Sequence, residues 1–394
     1  MLVTPVSASE DNPFQRLQSQ LKDHPAVQAI QEQVQGVRYT AQGQLGLPNP
    51  GITLGVNNVP VSTPTRFDRF LPSNKSIGVT QRFPNFSGRE ARQQTGLAQA
   101  QLKQVELWTI WAGLKQKLIV ALAQKQRIRR SLKALDEQFV KLDELEHWLK
   151  GEMESGRAVY GKVEGLDVQR AQLQEKRIAL QGQASRWGAT LQRLVQQDSD
   201  LKPPQLTLAP WVQERIPLEV LKAQQAIAIA QSKVKARKAA FNPDYGISAV
   251  WQQRDNDGPF EGDDWYSLKA TITVPLWAEQ NQRPKLKGAK RALAAARMAK
   301  DDAWRTSRAL FDEALAGYQT SQRMIEALKR RDGELMDLET AMRRRYEAGE
   351  MDLEAVIRPS IQRSALKIEQ AKQHSKSVVA AARANSLYKE FITP

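Results

Sequence analysis

Two neighbouring stretches of alternating residues, between Asn242 and Trp277, constrain the fold of this chain more than any other feature. In the second stretch, apolar and polar residues alternate without interruption from Tyr266 to Val274. A two-residue period is typical of a β-strand that has one apolar and one polar face. The first stretch alternates more loosely, and the polar residues 255–259 predict a chain reversal. Each stretch has about ten residues, the length of a tilted strand that crosses a bilayer core.

Three tryptophans lie near the ends of these strands: Trp251, Trp265 and Trp277. Tryptophan favours the boundary between lipid and water, because its ring is apolar and its N–H group is polar. A hairpin in a water-soluble protein fits the same residues equally well. The rest of the chain must therefore decide between the two interpretations.

Composition excludes several classes of protein and site. The chain of 394 residues contains no stretch of 18 apolar residues, so the sequence predicts no transmembrane helix. It contains no cysteine, which excludes disulfides and thiolate metal ligands within it. The formal net charge of +15 fits a nucleic-acid or an anionic-membrane partner. Because the charges are spread along long polar helices, solvated helix faces are the favoured explanation.

The first residues suggest the end of a secretion signal. Val6-Ser7-Ala8 places small residues at the two positions that signal peptidase prefers. We therefore expect residues 1–8 to be the remnant of a signal peptide that begins upstream, with Ser9 as the first mature residue.

A heptad pattern predicts a long supercoiled helix over residues 87–150. Apolar residues recur every 3.5 residues from Leu107 to Leu149, and only Lys125 and Glu146 interrupt them. A pattern sustained over this length is typical of a supercoiled helix, which would extend about 95 Å here. The glycines between 151 and 165 predict a long turn before a return helix.

The order of elements recurs, which indicates an internal duplication. Asn49-Pro50 and Asn242-Pro243 are 193 residues apart, as are Gly156 and Gly349. The first predicted repeat comprises residues 1–200, with a helix at 9–46, a β-hairpin at 51–84 and a long helical hairpin at 87–197. The second comprises residues 201–394, with a helix at 217–240, a β-hairpin at 244–276 and a long helical hairpin at 283–391.

Four bilayer-length strands are too few to close a barrel, and open strand edges in lipid leave backbone groups unpaired. Three copies would supply twelve strands, and their helical hairpins would form a second tube. The sequence thus predicts a mainly α fold with a small β part, in which trimerisation completes an α-barrel and a 12-stranded β-barrel. The membrane-facing strand residues are predicted to include Ile52, Leu54, Val56, Tyr266, Leu268 and Ile272.

Several short motifs, in this order, resemble those of the TolC-type outer-membrane efflux channels. They are Leu47-Pro48-Asn49-Pro50, Gln81-Arg82-Phe83-Pro84, Asn242-Pro243-Asp244 with Arg254 downstream, Val274-Pro275-Leu276-Trp277, and Tyr346-x-x-Gly349. The first and fourth motifs look most like the heavy-metal branch of the family, the cobalt–zinc–cadmium type. The resemblance covers about residues 16 to 390.

The resemblance implies a homotrimer in outer-membrane lipid, with its helical part in the periplasm. It also implies docking on a periplasmic membrane-fusion adaptor and on an inner-membrane pump of the resistance-nodulation-division type. The protein would be a passive duct that carries heavy-metal cations outward. The same duct could instead serve drug or protein secretion.

Many members of the family close the helical end with paired aspartates after the Tyr-x-x-Gly turn. Here the corresponding positions are Ala355 and Arg358, so the nearby acids are the candidates. The predicted periplasmic gate comprises Tyr346, Gly349, Asp352 and Glu354. The alternative is that the two acids cap the start of a helix. The longer glycine-rich turn of the first half predicts that the closed end is asymmetric.

No motif supports catalysis or a cofactor. The three histidines lack metal-ligand spacing, and neither a nucleotide-binding glycine loop nor a serine nucleophile motif is present. We therefore expect no enzyme activity, no cofactor, no bound metal and no nucleic-acid partner. The alternative from another class is a soluble basic coiled-coil scaffold that lies on membrane or nucleic acid.

Overall fold

The computed structural model describes residues 13–59, 61, 73–157, 159–254 and 263–392. The expected signal remnant and the predicted reversal at 255–259 lie outside these residues. The chain forms two compact units, each discontinuous in sequence and each drawn from both predicted repeats. Unit 1 comprises Met1–Ile30, Glu106–Val220 and Trp304–Pro394; unit 2 comprises Gln31–Val105 and Leu221–Ala303. The division into repeats at residue 200 stays a prediction.

The helix predicted over 9–46 is broken, which corrects the sequence-based expectation. Helix α1 spans Pro13–Gln20, a 3-10 turn spans Leu21–Asp23, and α2 spans Pro25–Gly43. His24 between them is extended, with ψ of 130°. The proline ring disfavours helical geometry at the residue before it, so the first helix must end, and Pro25 fits the first turn of the next.

Unit 2 contains one antiparallel sheet. Its strands are β1 (Gly51–Asn57), β2 (Asn74–Phe83), β3 (Asp244–Gln253) and β4 (Trp265–Thr273). Their order in the sheet is β1-β2-β3-β4, so both predicted hairpins form and pair with each other through β2 and β3.

Five further helices carry most of the chain. They are α3 (Phe86–Glu154), α4 (Tyr160–Val195), α5 (Leu218–Ala239), α6 (Gln282–Glu347) and α7 (Leu353–Asn385), followed by a 3-10 turn at Lys389–Phe391. The order helix, strand, strand, long helix, return helix thus occurs twice, and the predicted mainly α fold with a small β part is confirmed. Within the described ranges, no helix is both long and apolar enough to span a membrane.

The predicted asymmetry of the two helical turns is wrong. Only five residues separate α3 from α4, and five separate α6 from α7. Gly156 and Gly349 have φ of 83° and 75°, and each lies in a turn where the next residue's N–H bonds a carbonyl five residues back. Gly151, Gly161 and Gly165 are helical, because glycine costs a helix only about 1 kcal/mol and packing outweighs it.

The two charged residues that interrupt the first heptad pattern are both ion-paired. Lys125 lies 2.6 Å from Asp198 and 2.9 Å from Asp200. Glu146 lies 2.7 Å from Arg170 and 2.6 Å from Lys150. The surrounding leucines are buried, so the pattern correctly predicted the packed face, and the charges at its margin reach partners on the return helix or beyond it.

One of these ion pairs occurs in both halves. Arg170 on α4 pairs with Glu146 on α3, and Arg363 on α7 pairs with Glu339 on α6 at 3.0 Å. Each residue lies 193 positions from its counterpart. The same interhelical contact therefore joins each long helix to its return helix.

We expect Arg170→Met and Arg363→Met to destabilise unit 1 by similar amounts, about 1 kcal/mol each, because solvent screens both partly exposed ion pairs. Thermal denaturation followed by helical circular dichroism would measure the loss. Arg344→Met is the matched control, since Arg344 is exposed and makes no ion pair within the described residues. A large loss for one variant beside none for the other would contradict the equivalence of the two contacts.

Candidate functional site

The strand register gathers apolar side chains on one face of the sheet. In β3 and β4, Ala249 lies opposite Leu268 and Trp251 lies opposite Tyr266. Cross-strand partners share a face and faces alternate along a strand, so the face extends over all four strands. Its apolar members are Ile52, Leu54, Val56, Ile77, Val79, Phe83, Tyr245, Ile247, Ala249, Trp251, Tyr266, Leu268, Ala270 and Ile272.

This apolar face is open in the single chain. Leu54, Tyr266 and Leu268 are 76%, 86% and 80% exposed. All six residues predicted to face the membrane lie on it and all are exposed: Ile52, Leu54, Val56, Tyr266, Leu268 and Ile272. Soluble proteins rarely expose a contiguous apolar patch of this extent, so the face requires an apolar environment.

The opposite face of the sheet is mostly polar. It carries Thr80 and Ser248, whose hydroxyls lie 3.2 Å apart across β2 and β3. It also carries glycine, serine, threonine and one lysine, Lys269, together with the larger residues Arg82, Val250 and Trp265. The two faces of the sheet therefore differ in polarity.

Amphipathic residues mark both ends of the sheet. At one end Trp251 lies beside Tyr266, and the guanidinium of Arg254 lies 5.7 Å from the ring centre of Trp265. At the other end, beyond β4, Leu276 and Trp277 are 75% and 70% exposed. Aromatic side chains at both ends are typical of strands that cross a bilayer.

Two edges of the sheet are open. Within the described residues, β1 pairs only with β2, and β4 pairs only with β3. Unpaired backbone groups at such edges cost several kcal/mol each in lipid. Each open edge therefore needs a further strand if the apolar face lies in a membrane.

Three polar side chains fix the junction between the sheet and the helices: Asn85, Arg89 and Asp244. The carboxylate of Asp244 accepts hydrogen bonds from the backbone N–H and the side chain of Asn85, at 2.8 and 2.9 Å. Arg89 donates to the carbonyls of Leu45 and Pro84, at 2.6 and 3.3 Å. The contacts with Asn85 give Asp244, the last residue of the Asn242-Pro243-Asp244 motif, a structural role, and Asn85 lies 159 residues earlier in the chain.

The four predicted gate residues lie together at the turn between α6 and α7. They line a concave surface that encloses a pocket of 920 Å³: Tyr346, Gly349, Asp352 and Glu354. Glu152 and Arg157 of the turn between α3 and α4 line it too. Asp352 occupies the position before α7, but its side chain makes no capping hydrogen bond. Asp352 therefore has the position of a helix cap but does not make the hydrogen bond of one.

Glu354 joins the two turns through an ion pair. Its carboxylate lies 2.7 Å from the amine of Lys162 on α4 and 2.6 Å from Arg358. The hydrogen bond from Lys162, then that from Arg358, lowers the pKa of Glu354. The hydrogen bond to Glu354 in turn raises the pKa of Lys162. Arg358 could have been predicted from its i,i+4 spacing, but Lys162 is 192 residues away and only the fold brings it close.

The two turns carry the same ion pair with the charges exchanged. Glu152 and Arg157 lie 2.5 Å apart, and Arg345 and Glu350, 193 positions later, lie 3.2 Å apart. The backbones of the turns correspond, whereas their charges are opposite. Among the described residues, no group of three or more histidines or acids is placed to hold a metal ion.

One family model matches part of the chain. Residues 217–357 match the family model described as "Outer membrane efflux protein". No curated protein matches the sequence. The family match covers α5, the second strand pair, α6 and the turn that holds the predicted gate.

Solved channel structures share the fold of nearly the whole chain. CusC, described in terms of transmembrane channel formation, matches with a TM-score of 0.78 at 14% identity, covering 96% of this chain and 92% of that one. The outer-membrane channel OprN matches with a TM-score of 0.77 at 15% identity, covering 95% and 89%. The outer membrane protein VceC of Vibrio cholerae matches with a TM-score of 0.76 at 15% identity, covering 95% of both chains.

Proposed function

We propose that this chain is one protomer of a trimeric exit duct in the outer membrane, and that the duct serves a tripartite efflux system. The observation that carries the proposal is the exposed apolar face of a sheet with two open edges. A water-soluble scaffold would leave that face in water, so the structure disfavours the alternative of a basic coiled-coil scaffold.

Three copies resolve both problems of the single chain. If β4 of one copy pairs with β1 of the next, the twelve strands close into a barrel and every open strand edge acquires a partner. The apolar face then lies outward toward lipid, and the polar face lines an aqueous passage. No chemical step is required of such a duct.

The partners of the duct are a periplasmic adaptor and an inner-membrane pump of the resistance-nodulation-division type. The adaptor would meet the surface around Gly156 and Gly349. Tyr346, Asp352 and Glu354 would form the gate there. The exchanged charges of the two turns would present two different contacts to an adaptor.

Heavy-metal cations are the cargo that we propose. The support is the resemblance of the Leu47–Pro50 and Val274–Trp277 motifs to the heavy-metal branch. Drug or protein secretion is the alternative cargo. Deletion of the gene distinguishes them: hypersensitivity to zinc, cobalt or cadmium supports the proposal, and hypersensitivity confined to organic drugs overturns the choice of cargo.

Conductance is the test of the duct. We expect protein purified from the outer-membrane fraction to form discrete ion-conducting units in planar lipid bilayers. A protein that is recovered without detergent from the soluble fraction and does not conduct would overturn the proposal.

The ion pair of Lys162 and Glu354 predicts how the duct responds to pH. The pKa of Glu354 is lowered from its ordinary 4.5. The stabilisation of the folded protein by this ion pair is therefore complete above pH 4.5 and is lost as the pH falls through the pKa of Glu354 in the folded state. The pKa of Lys162 is raised from 10.5, so the contribution of Lys162 to the stability of the folded protein is complete below pH 10.5. We expect conductance to be constant between these limits and to rise in acid below pH 4.5.

The variant Glu354→Gln checks the assignment, because it removes the titrating carboxylate but keeps the size of the side chain. Its conductance should already be raised at neutral pH and should lack the acid step. An acid step of undiminished size in this variant would show that another group, such as Asp352, controls the response.

A further inference from the structure

The start of α6 carries an unusually basic surface. Seven of the nineteen residues from Gln282 to Lys300 are lysine or arginine, and none is acidic. Four of them follow the i, i+4, i+7, i+8 spacing that places side chains on one side of a helix. This basic face consists of Arg283, Lys287, Lys290 and Arg291, and all four side chains are exposed.

Most of this charge has no partner within the described chain. Arg283 pairs with Glu279 at 2.8 Å. Lys287, Lys290 and Arg291 make no ion pair with any residue that the structure describes. Other cations on the same helix do find acids, as Arg308 does with Asp312 at 2.8 Å. The basic face is therefore free to bind an external anion.

The basic face lies directly after an exposed apolar segment. Val274, Leu276 and Trp277 are 55%, 75% and 70% exposed. Backbone hydrogen bonds from Asn281 to Trp277 and from Arg283 to Ala278, at 3.1 and 2.8 Å, fix the helix start to this segment. At 1.5 Å per residue, the side chains from Arg283 to Arg291 begin within about 14 Å of the start of α6.

The fold does not itself demand this charge. The first nineteen residues of α3, the counterpart of α6, contain only Arg89, Arg92 and Lys103, together with Glu90. Arg89 is already engaged with backbone carbonyls. The basic face belongs to one half of the duplication, so it points to a ligand rather than to a structural need shared by both helices.

We propose that the basic face of α6 binds the phosphate headgroups of anionic phospholipid in the leaflet next to the helices. This inference rests on the proposed function, which places β4 in the membrane. The apolar segment 274–277 then lies at the lipid boundary, and the lysines and arginine lie at headgroup level. A basic cluster beside a membrane segment attracts anionic lipid, and each cation strengthens binding by about fivefold.

The test uses full-length protein in detergent, examined by native mass spectrometry with equal amounts of phosphatidylglycerol and phosphatidylcholine. We expect the trimer to retain phosphatidylglycerol preferentially. The triple variant Lys287→Gln, Lys290→Gln, Arg291→Gln should lose at least about tenfold of that preference. The matched control is Lys329→Gln, Arg330→Gln, Arg331→Gln, which removes three exposed cations from the distal part of the same helix and should keep the preference.

Each other outcome overturns the inference. Equal retention of both lipids by the parent protein would do so, as would an unchanged preference in the triple variant. Loss of the trimer in the triple variant alone would assign the basic face to contacts between copies. A stronger preference for added lipopolysaccharide, lost in the same variant, would assign it to the other leaflet. A monomeric parent protein would instead refute the proposed function.

Discussion

Replacing Leu268 by arginine should remove the assembled protein from the outer membrane. Leu268 is 80% exposed in the middle of β4, on the apolar face and opposite Ala249. If the face were in water, a charge at so exposed a site would change stability by less than about 0.5 kcal/mol. If it faces lipid, arginine near the bilayer midplane costs about 2–4 kcal/mol in each copy, and a trimer carries three.

The measurement is the amount of heat-dissociable oligomer in the outer-membrane fraction. Thr271→Arg is the matched control, because it places the same charge in the same strand on the polar face that already holds Lys269. We expect near-normal assembly of the control and little or none of Leu268→Arg. Normal assembly of both variants would mean that lipid does not contact the apolar face.

Tyr388→Ala should destabilise unit 1 by about 3–5 kcal/mol. Tyr388 is fully buried, its ring centre lies 6.0 Å from that of Trp211, and the guanidinium of Arg215 lies 4.7 Å above its ring. Its removal would leave a cavity between α7, the final 3-10 turn and the connecting segment before α5. Thermal denaturation of the purified protein would measure the loss.

Tyr388→Phe separates the ring from the hydroxyl. The hydroxyl is buried without a hydrogen-bond partner among the described residues, and burial raises the pKa of Tyr388 to about 12, so it stays neutral. Removing an unpaired hydroxyl should leave stability unchanged or slightly higher. A loss as large as that of Tyr388→Ala would show that the hydroxyl has a partner.

Much of the fold could be predicted from periodicity alone. The alternation from Tyr266 to Val274 identified a strand and its apolar face, because a two-residue period fixes which side chains share a side. The heptad pattern from Leu107 to Leu149 likewise identified the packed side of α3. Both are local regularities that the sequence records directly.

The failures occurred where local signals conflict with packing. The glycines at 151, 161 and 165 suggested a long turn, yet only Gly156 needs the left-handed conformation that ends α3. His24-Pro25 was a true break, and it was overlooked within a region of helical spacing. Single glycines are poor markers of a helix end. Proline ends the helix before Pro25 but not α7, which continues through Pro359.

The candidate site could be predicted only in part. The positions of Tyr346, Gly349, Asp352 and Glu354 came from a turn motif, and the structure brings them to one concave surface. Lys162, which binds Glu354, could not be found, because ion pairs between distant helices have no sequence signature. The same limit applies to Asn85 with Asp244, which fixes the strands to the helices.

The mass of the detergent-extracted particle tests the central claim most directly. Native mass spectrometry of the intact protein should give three times the mass of the single chain that heating releases. A particle that holds one chain and needs no detergent would contradict the claim that copies share their strands to complete a membrane barrel.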